Sequence, residues 1–469
     1  EAIPGVGASI AEKIEELLKT GRLKYYEDLK KKTPVDLGEL TRVEGLGPAS
    51  VRKLYKKLKV RNLGDLEKAA KAGKIGVLPG FGVKSEENIL KGIAFLKKSS
   101  GRFVLGFAMP QIREIEERLR KLKAVEKLIV AGSVRRKKET IGDIDILVVS
   151  ENPKPVMDYF VSMPEAARVY AHGETKSAIK IKSGLDVDLR VVPPESYGAA
   201  LNYFTGSKDH NVALRVLAQK KKLKLNEYGL FRGKKMIAGK TEAELYRALG
   251  MDYVEPEMRE NTGEIELAQK GKLPRLLGYD ELEGDLQVQT DWTDGSVSIE
   301  EMARAAAACG LRYIAVTDHT KRLAMTHGLD GKRILKQMAE IDRVNKKLRM
   351  SHVACHVLKG TECDILKDGS LDLPDAVLSK LDLVGVSVHS HFNLPIREQT
   401  ERIVRAIENP HVDILFHPTG RLIGRRPAYE VDMEAVIRAA KATGTVLEID
   451  AFPDRLDLRD EHIRKAVQA

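Results

Sequence analysis

One short pattern occurs three times in the first hundred residues and restricts how this part of the chain can fold. An apolar residue is followed by Gly-x-Gly and then by an amphipathic stretch, at residues 3–7, 43–47 and 78–82. Because glycine allows positive φ and close backbone approach, this order favours a tight turn between two short helices. The N–H groups at the start of the following helix can hold a phosphate without reading a base. The six glycines predicted to lie at a nucleic-acid backbone are Gly5, Gly7, Gly45, Gly47, Gly80 and Gly82.

The charge of the chain is distributed unevenly. Residues 1–100 carry 21 basic and 13 acidic side chains, a net charge of +8, whereas residues 285–469 carry 26 basic and 28 acidic ones. The basic side chains near the repeated turns would add non-specific attraction for phosphates. The alternative is a set of plain helical hairpins with solvated lysines. Three copies of the turn in a basic segment favour the nucleic-acid interface.

Composition excludes several classes of protein. No apolar run approaches the roughly 20 residues that a membrane span needs, and no signal-peptide pattern opens the chain. The three cysteines cannot form a disulfide framework and fit a reducing compartment. With 43% hydrophobic residues, the 469-residue chain can build several folded cores. We therefore expect a cytoplasmic protein of several domains that does not associate with membranes.

Two short predicted strands carry closely spaced acids. Residues i and i+2 of a strand share a face, so Asp143 and Asp145 point the same way. Asp186 and Asp188 share a face of the second strand, and spacing alone does not choose between them. Neighbouring carboxylates repel one another unless cations lie between them, and oxygen ligands suit Mg²⁺. The acids therefore predict a centre for divalent cations.

A glycine turn precedes the first acidic strand. Gly132 and Ser133 end an apolar strand, and Arg135 and Arg136 follow them. This turn is suited to hold a triphosphate beside the acids. Two cations held by three carboxylates would stabilise both the attacking and the leaving oxygen of an in-line phosphoryl transfer. The alternative, acids that merely cap exposed strand ends, is disfavoured by the turn and the arginines.

In the last part of the chain, short apolar strands alternate with helices. The predicted strands cover residues 313–317, 383–388, 412–416 and 445–449, with helices that include 299–308 and 398–408. This order favours a β/α barrel-like domain, in which sites lie at the carboxyl ends of the strands. Nine of the eleven histidines lie at or after His319. Histidine combined with carboxylates suits Zn²⁺, Mn²⁺ or iron, so we expect a second metal site here.

The sequence around the acids resembles the family X DNA polymerases. The motifs that carry the resemblance are Gly132-Ser133, Gly142-Asp143-Ile144-Asp145, Asp188-Leu189-Arg190 and Tyr203-Phe204-Thr205-Gly206-Ser207. The resemblance covers residues 1 to about 255. It implies that Asp143 and Asp145 bind both catalytic metal ions. It also implies that Asp188, rather than Asp186, binds the catalytic ion and helps to activate the primer 3′-hydroxyl.

The same resemblance implies contacts to substrates. The implied nucleotide contacts are Ser133, Arg136, Gly142, Tyr203, Phe204, Gly206 and Asn211. The implied DNA contacts, besides the hairpin glycines, are Arg190 and Arg215. In this interpretation, the turn around Ser133 faces the triphosphate, and Tyr203 and Phe204 pack on the sugar.

The last part of the chain resembles the polymerase and histidinol phosphatase (PHP) domain that follows many bacterial and archaeal family X polymerases. In its opening motif the family usually has His-x-His, where this chain has Gln287 and Gln289. The metal ligands that the resemblance carries over, for Zn²⁺ or Mn²⁺, are Asp294, His319, Glu362, His389 and His417. The closing Asp-x-His pair of the family has no counterpart, since residues 460–462 open a helical stretch. We therefore expect an incomplete PHP domain with an impaired 3′–5′ exonuclease or phosphoesterase site.

The resemblance to both families implies a multidomain α+β and α/β chain. The expected domains are a remnant of an N-terminal lyase-like helix-hairpin-helix domain (1–28), a helical DNA-binding subdomain with two such motifs (29–108), a nucleotidyltransferase palm with a mixed sheet (109–196), a nucleotide-binding thumb or fingers subdomain (197–255), a linker (256–284) and a distorted β/α-barrel PHP domain (285–469). Because the first hairpin opens the chain and the last ligand pair is missing, we expect truncation at both ends.

Lys13 lies where some family X members have a Schiff-base lysine that removes a 5′-deoxyribose phosphate. Ser9 occupies a position where lyase-active members often have another lysine. We therefore expect Lys13 to be a surface lysine rather than a catalytic one in this chain.

The leading hypothesis is a monomeric DNA-directed DNA polymerase that fills gaps during repair. It would add dNTPs to a primer 3′-end with Mg²⁺ or Mn²⁺. Two alternatives stay open: a PHP metal-dependent nuclease that the front of the chain targets to DNA, and a non-catalytic DNA-binding scaffold.

Overall fold

The computed structural model describes residues 8–25, 28, 34–41, 43, 46–99 and 101–469. The chain separates into two compact units, residues 1–100 with 424–427, and residues 101–423 with 428–469. Within the described ranges, no helix is both long enough and apolar enough to cross a membrane. Three of the predicted hairpin glycines, Gly5, Gly7 and Gly45, lie outside the described residues.

The first unit is helical. Its described helices are Ala8–Thr20, Leu37–Leu40, Pro48–Leu58, Leu63–Lys71 and Val83–Ser99. Apolar residues that include Leu40, Leu54, Leu66 and Ile93 are buried together in one core. The predicted turns that end at Gly47 and Gly82 each lead directly into a helix. This is the arrangement expected of helix-hairpin-helix elements.

The second unit begins with a five-stranded mixed sheet. The elements of this region are β1 (Phe103–Val104), helix Leu105–Arg120, β2 (Lys127–Val130), helix Gly132–Arg135, β3 (Thr140–Ile141), β4 (Asp143–Val149), helix Pro153–Ser162, β5 (Ala166–His172), β6 (Lys176–Ile181) and β7 (Asp186–Val192). The sheet order is β2-β4-β7-β6-β5, with β4 and β7 parallel and the other pairs antiparallel. One face packs its apolar residues, such as Ile144 and Val187, with Ile112 and Phe160 of two helices. This packing leaves the acids of β4 and β7 on the opposite face.

A smaller region follows the mixed sheet. It contains helices Tyr197–Thr205 and Lys208–Lys220, strands β8 (Lys224–Asn226), β9 (Gly229–Arg232) and β10 (Lys235–Ala238), and helices Glu242–Ala248 and Glu264–Gln269. The three strands form an antiparallel sheet. Ile265 and Ala268 pack into the core that also contains Leu214 and Leu245. The packed region therefore extends to about residue 269, into the segment expected to be a linker.

The last part of the chain is a parallel sheet of six strands in chain order. The strands are β11 (Gly284–Val288), β12 (Tyr313–Val316), β13 (His356–Asp364), β14 (Leu383–Ser387), β15 (Ile414–Leu415) and β16 (Val446–Leu447). The helices around them are Ile299–Ala308, Gly331–Met350, Asp375–Leu378, Ile396–Ile407, Met433–Thr443 and Asp460–Gln468. Parallel strands that follow one another through helices are the arrangement of β/α barrels. The four predicted strands are confirmed, whereas β11 and β13 were not predicted as strands.

Candidate active sites

Strand pairing brings the predicted acids together. In the parallel register of β4 and β7, Asp143 lies opposite Asp186, and Asp145 lies opposite Asp188. Ile144 lies between the two acids of β4 and is fully buried on the other face. The four carboxylates therefore share one face of the sheet.

Asp145 lies at the centre of this group. Burial raises the pKa of its carboxyl group, and the nearby Asp143 and Asp188 raise it further, to about 7. The turn packs closely on this carboxylate, because a Cβ at Gly132 would lie 2.3 Å from Asp145 Oδ2. Gly132 also has a φ of +58°, which only glycine adopts readily. The oxygen-only donor set and the mutual repulsion of its carboxylates fit hard divalent cations such as Mg²⁺.

The two acids of β7 differ in their surroundings. Asp186 Oδ1 forms an ion pair with Lys180 Nζ at 2.8 Å. Asp188 Oδ2 lies 3.6 Å from Lys176 Nζ, and its charge acts on Asp145. Asp186 thus already has a close cation of its own. This difference favours Asp188 as the third ligand, in agreement with the family motif.

A cavity of about 510 Å³ opens beside the acids of β4. Eight of the residues predicted to contact nucleotide or DNA line it, namely Ser133, Arg136, Gly142, Tyr203, Phe204, Gly206, Asn211 and Arg215. Arg190 lies next to the cavity, with its guanidinium 4.7 Å from the centroid of the Phe204 ring. Three further basic residues, Arg102, Lys138 and Lys208, also line it. Lys138 and Lys208 lie beside the motifs in the sequence, whereas Arg102 is distant from them and its position depends on the fold.

Two groups that line the cavity are suited to bind an anion. The Ser133 hydroxyl oxygen is buried and has no hydrogen-bond partner among the described residues. Arg136 donates to the carbonyl oxygen of Thr205 and, through Nε at 2.8 Å, to Glu260 Oε1. A guanidinium has five N–H donors, so Arg136 keeps donors for a phosphate. A buried, unpartnered hydroxyl beside a guanidinium fits the triphosphate predicted for this turn.

The neighbouring Arg135 has a different role. Its guanidinium binds both oxygens of Glu242, at 2.9 and 2.7 Å, and Glu242 also binds Arg259. Burial alone would raise the pKa of the Glu242 carboxyl, but the two arginines hold it below its usual value. This buried network joins the Gly-Ser turn to the region after residue 197. No sequence motif predicts this network, because Arg135 and Glu242 are 107 positions apart.

The second predicted centre lies at the carboxyl ends of the parallel strands. His319, Glu362 and His389 each offer an atom within 4.8 Å of the others, which is close enough for one metal ion. His417 Nε2 lies 2.9 Å from Glu362 Oε1. Asp294 lies at the rim, where its Oδ2 is 3.7 Å from His319 Nε2. The structure thus brings all five predicted ligands into one region, with three at metal-binding separation.

Glu362 is surrounded by protein donors. The side-chain amides of Gln287 and Gln289 each donate to its Oε2 at 3.1 Å. His389 and His417 contact its Oε1 at 3.1 and 2.9 Å. Burial would raise the pKa of this carboxyl, but the hydrogen bonds from the two histidines hold it well below its usual value. The three-residue set fits a single transition-metal ion, whereas neutral amides at 287 and 289 do not fit further metal coordination.

Known proteins and protein families match almost the whole chain. The helix-hairpin-helix tandem, nucleotidyltransferase domain and DNA polymerase beta thumb families match residues 37–94, 112–199 and 200–260. The DNA polymerase/3′-5′ exonuclease PolX of Bacillus subtilis (strain 168) is 38% identical over 99% of this chain and 81% of its own length. The chain belongs to the family X DNA polymerases.

The end of this family X polymerase also resembles separate phosphatases. A probable phosphatase of Thermoanaerobacter sp. (strain X514) is 35% identical over 33% of this chain and 58% of its own length. A probable phosphatase of Acetivibrio thermocellus is 31% identical over 33% of this chain and 58% of its own length. The last region of the polymerase is therefore a PHP domain, as the parallel sheet indicates.

The hairpins of the polymerase are described in part. The Gly80 residue has a φ of +83°, and Lys53 Nζ donates to the carbonyl oxygen of Pro79 beside it. Gly47 precedes the first residue of helix Pro48–Leu58 and leaves the N–H groups of that helix open to an anion. These turns fit the DNA-binding role of the family.

The remaining candidates are less clearly placed in a site. Lys13 Nζ lies 4.6 Å from the centroid of the Tyr25 ring, on an exposed helix. Two acids near the PHP ligands were not predicted, namely the buried Asp364, 3.3 Å from His389, and the half-buried Glu448, which accepts from the His417 N–H at 2.7 Å. Burial raises the pKa of Glu448 to about 9. Asp364 is the last residue of β13 and Glu448 directly follows β16, and no local motif marks either acid.

Proposed function

We propose that this family X polymerase fills short gaps in DNA by transferring nucleotides from dNTPs to a primer 3′-hydroxyl, with Asp143, Asp145 and Asp188 as its catalytic acids. The main support for this proposal is the register of β4 and β7, in which Asp145 lies opposite Asp188. Asp145 also lines a cavity that the Gly-Ser turn lines. A monomer suffices for this function, because one chain supplies the acids, the cavity and the hairpins.

Different residues of the site would contact different parts of the nucleotide. Ser133 and Arg136 would hold the triphosphate at the turn, where the hydroxyl has no other partner. Tyr203 and Phe204, whose ring centroids lie 5.1 Å apart, would support the sugar, and Asn211 would be held for the base side by its bond to the Tyr203 carbonyl at 2.7 Å. These contacts orient the α-phosphate toward the acids, which is where most of the rate gain of such a reaction arises.

Divalent cations, Mg²⁺ or Mn²⁺, would supply charge neutralisation and a more acidic primer hydroxyl when bound by the three acids. Asp145 would release its proton on cation binding, since its pKa is raised to about 7 by burial and by its neighbours. β4 lies between β2 and β7 in the sheet, so Asp188 is one strand further than Asp145 from the turn that follows β2, and it would receive the primer end. Arg190 and Arg215 would then adjust the site to the template strand.

The hairpin glycines would hold the DNA backbone of the gapped substrate. Helix N-termini after Gly47 and Gly82 contact phosphates rather than bases, so binding would be independent of sequence. The basic lysines of residues 1–100 would make this affinity fall steeply with salt. Lys13 takes no part in chemistry in this proposal.

For the PHP domain we propose a weakened 3′–5′ exonuclease or phosphoesterase site. His319, Glu362 and His389 can hold one Zn²⁺ or Mn²⁺ ion, with Asp294 and His417 nearby. The amides of Gln287 and Gln289 occupy one oxygen of Glu362 and bring no imidazole to the site. The domain would therefore bind a transition metal weakly and hydrolyse DNA slowly.

The test is incorporation of a dNTP into a one-nucleotide gap, with Mg²⁺ and Mn²⁺ compared. Incorporation by the wild type and its loss in Asp143→Ala are expected. A metal-dependent nuclease that is abolished by His319→Ala, in a protein that adds no nucleotide, would instead make the PHP domain the main enzyme. Tight binding of gapped DNA with neither activity would make the chain a scaffold.

A further inference from the structure

An ion pair joins the PHP domain to the polymerase region within the second unit. Arg421 Nη2 lies 2.6 Å from Glu139 Oε2, although the residues are 282 positions apart. The Arg421 side chain is 10% exposed and that of Glu139 is 30% exposed. Because the arginine is largely withdrawn from water, the pair is less screened than the exposed ion pairs of the surface.

Further hydrogen bonds hold the Arg421 side chain and the backbone of Glu139. Arg421 donates from Nε and Nη2 to the carbonyl oxygen of Leu456, at 3.1 and 2.8 Å. The carbonyl oxygen of Glu139 accepts from the Leu105 N–H at 3.1 Å. The Arg421 guanidinium and the Glu139 backbone are each held by these hydrogen bonds, so the ion pair joins two anchored segments.

The backbones also meet beside the ion pair. A Cβ at Gly106 would lie 2.7 Å from Cβ of Pro453, so only glycine fits where the helix Leu105–Arg120 begins. Pro453 and Leu456 belong to the same loop of the PHP domain. The contact is thus built from a close backbone approach and a partly buried ion pair.

Glu139 lies in the segment that forms one side of the nucleotide cavity. Lys138 before it and Gly142 and Asp143 after it all line that cavity. Thr140, between them, accepts a hydrogen bond from Arg102 at 2.8 Å, and Arg102 lines the cavity as well. A shift of Glu139 would therefore move a cation and a catalytic acid together.

On the PHP side, Arg421 ends a short loop that starts at His417. Thr419 in this loop is anchored by Asp457, which accepts from its N–H and its hydroxyl at 3.0 and 2.8 Å. The loop thus has little freedom between the histidine of the PHP centre and the arginine at the polymerase region.

We propose that Arg421 is a positioning residue for nucleotide binding: through Glu139 the PHP domain holds segment 138–143 in the geometry that the triphosphate and the catalytic acids need. This proposal rests on the polymerase site proposed above. It gives the PHP domain a role in synthesis that does not depend on its own metal site.

The experiment measures dNTP KM and kcat on a one-nucleotide gap, and Kd for the gapped DNA, with the full chain. Arg421→Gln and Glu139→Gln should each raise the dNTP KM by about threefold to tenfold while DNA affinity stays unchanged. The double variant should be no worse than either single one, because both remove the same contact. Arg421→Lys, which keeps a positive charge toward Glu139, should show a smaller loss than Arg421→Gln.

The matched control is Arg312→Gln, which removes an exposed ion pair with Glu283 in the same domain. It should leave the dNTP KM at the wild-type value. A wild-type KM in Arg421→Gln, additive losses in the double variant, or an equal loss in Arg421→Lys and Arg421→Gln would each overturn the positioning role and leave the polymerase site standing. If Arg421→Gln fails to fold, Glu139→Gln and Arg421→Lys decide between these outcomes. A wild type that adds no nucleotide would overturn the polymerase site and the positioning role together.

Discussion

The two acidic centres of this polymerase differ in what surrounds their carboxylates. Around Asp145 the nearest groups include two more carboxylates, and burial adds to their repulsion. Around Glu362, two amides and two histidines satisfy both oxygens of the carboxylate. The first centre needs cations to be stable in its ionised form, whereas the second is already neutralised by the protein.

Two centres with similar acidic residues can therefore differ in how strongly they bind metal ions. A buried carboxylate that the protein leaves unpaired gains much from a cation, because desolvation and repulsion are relieved together. A carboxylate that already accepts four hydrogen bonds gains less, since those bonds must be given up. We expect the centre of β4 and β7 to dominate metal-dependent chemistry in this chain.

The largest effect should separate the two acids of β7. Asp188→Asn should lower incorporation by about a thousandfold, because it removes a ligand charge at the reacting atoms. Asp186→Asn should stay within a few-fold of wild type, since Asp186 pairs with Lys180. Single-turnover incorporation on gapped DNA measures both. Equal losses in the two variants would show that the lysine pairing does not exclude Asp186 from the site.

Arg136→Ala should raise the dNTP KM by about tenfold to a hundredfold, the usual range for losing a charged hydrogen bond to phosphate. Its guanidinium lies at the cavity wall beside the unpartnered Ser133 hydroxyl. Arg232→Ala, at an exposed end of β9, is the matched control. An unchanged KM in Arg136→Ala would place the triphosphate elsewhere.

Gln289→His should strengthen metal binding at the second centre, whereas Asp188→Asn and Arg136→Ala should weaken function at the first. An imidazole in place of the amide removes one of the two amide donors to Glu362 Oε2 and adds a ligand, so affinity for Mn²⁺ or Zn²⁺ should rise by about tenfold. Calorimetric titration measures the affinity, and degradation of a 3′-end measures the activity. Gln289→Leu removes the same donor without adding a ligand and is the control. A gain as large in the leucine variant would show that releasing Glu362, not adding a ligand, limits binding.

The smallest effect concerns stability without metal. The pKa of Asp145 is raised from 3.8 to about 7, so its neutral form is the one that the fold favours. Stability present at low pH is lost as pH rises through about 7. In EDTA at pH 8, Asp145→Asn should therefore raise Tm by a few degrees, an effect on the order of 2 kcal/mol.

Mg²⁺ should stabilise the wild type and not Asp145→Asn. Asp186→Asn, which loses an ion pair instead of a repulsion, should not gain stability in EDTA. Thermal unfolding at pH 5 and pH 8 measures both changes. A wild type whose Tm relative to Asp145→Asn is the same at the two pH values would contradict the raised pKa.

Much of this picture could be predicted from local sequence. Strand alternation placed Asp143 and Asp145 on one face, and strands 313–316 and 383–387 followed from apolar runs. Motifs carried the polymerase contacts, since their residues are neighbours in the chain. The choice of Asp188 over Asp186 came from the family motif, because alternation treats both alike.

What could not be predicted depends on contacts between distant segments. Glu242 and Glu260 bind Arg135 and Arg136 across more than a hundred positions, and nothing near these acids in the sequence marks them. The amides that surround Glu362 also needed the fold, since the sequence showed only that histidines were absent. The roles of such residues arise from tertiary packing, which the local periodicity of hydrophobic residues does not predict.

The central claim is that the carboxylates of β4 and β7, and not the histidine centre, carry the metal-dependent chemistry of this chain. The most direct test is single-turnover dNTP incorporation on a one-nucleotide gap with Mg²⁺, in the wild type, Asp145→Asn and His389→Ala. We predict a loss of about a thousandfold in Asp145→Asn and a rate within twofold of wild type in His389→Ala. Incorporation that survives in Asp145→Asn, or disappears in His389→Ala, would contradict the central claim.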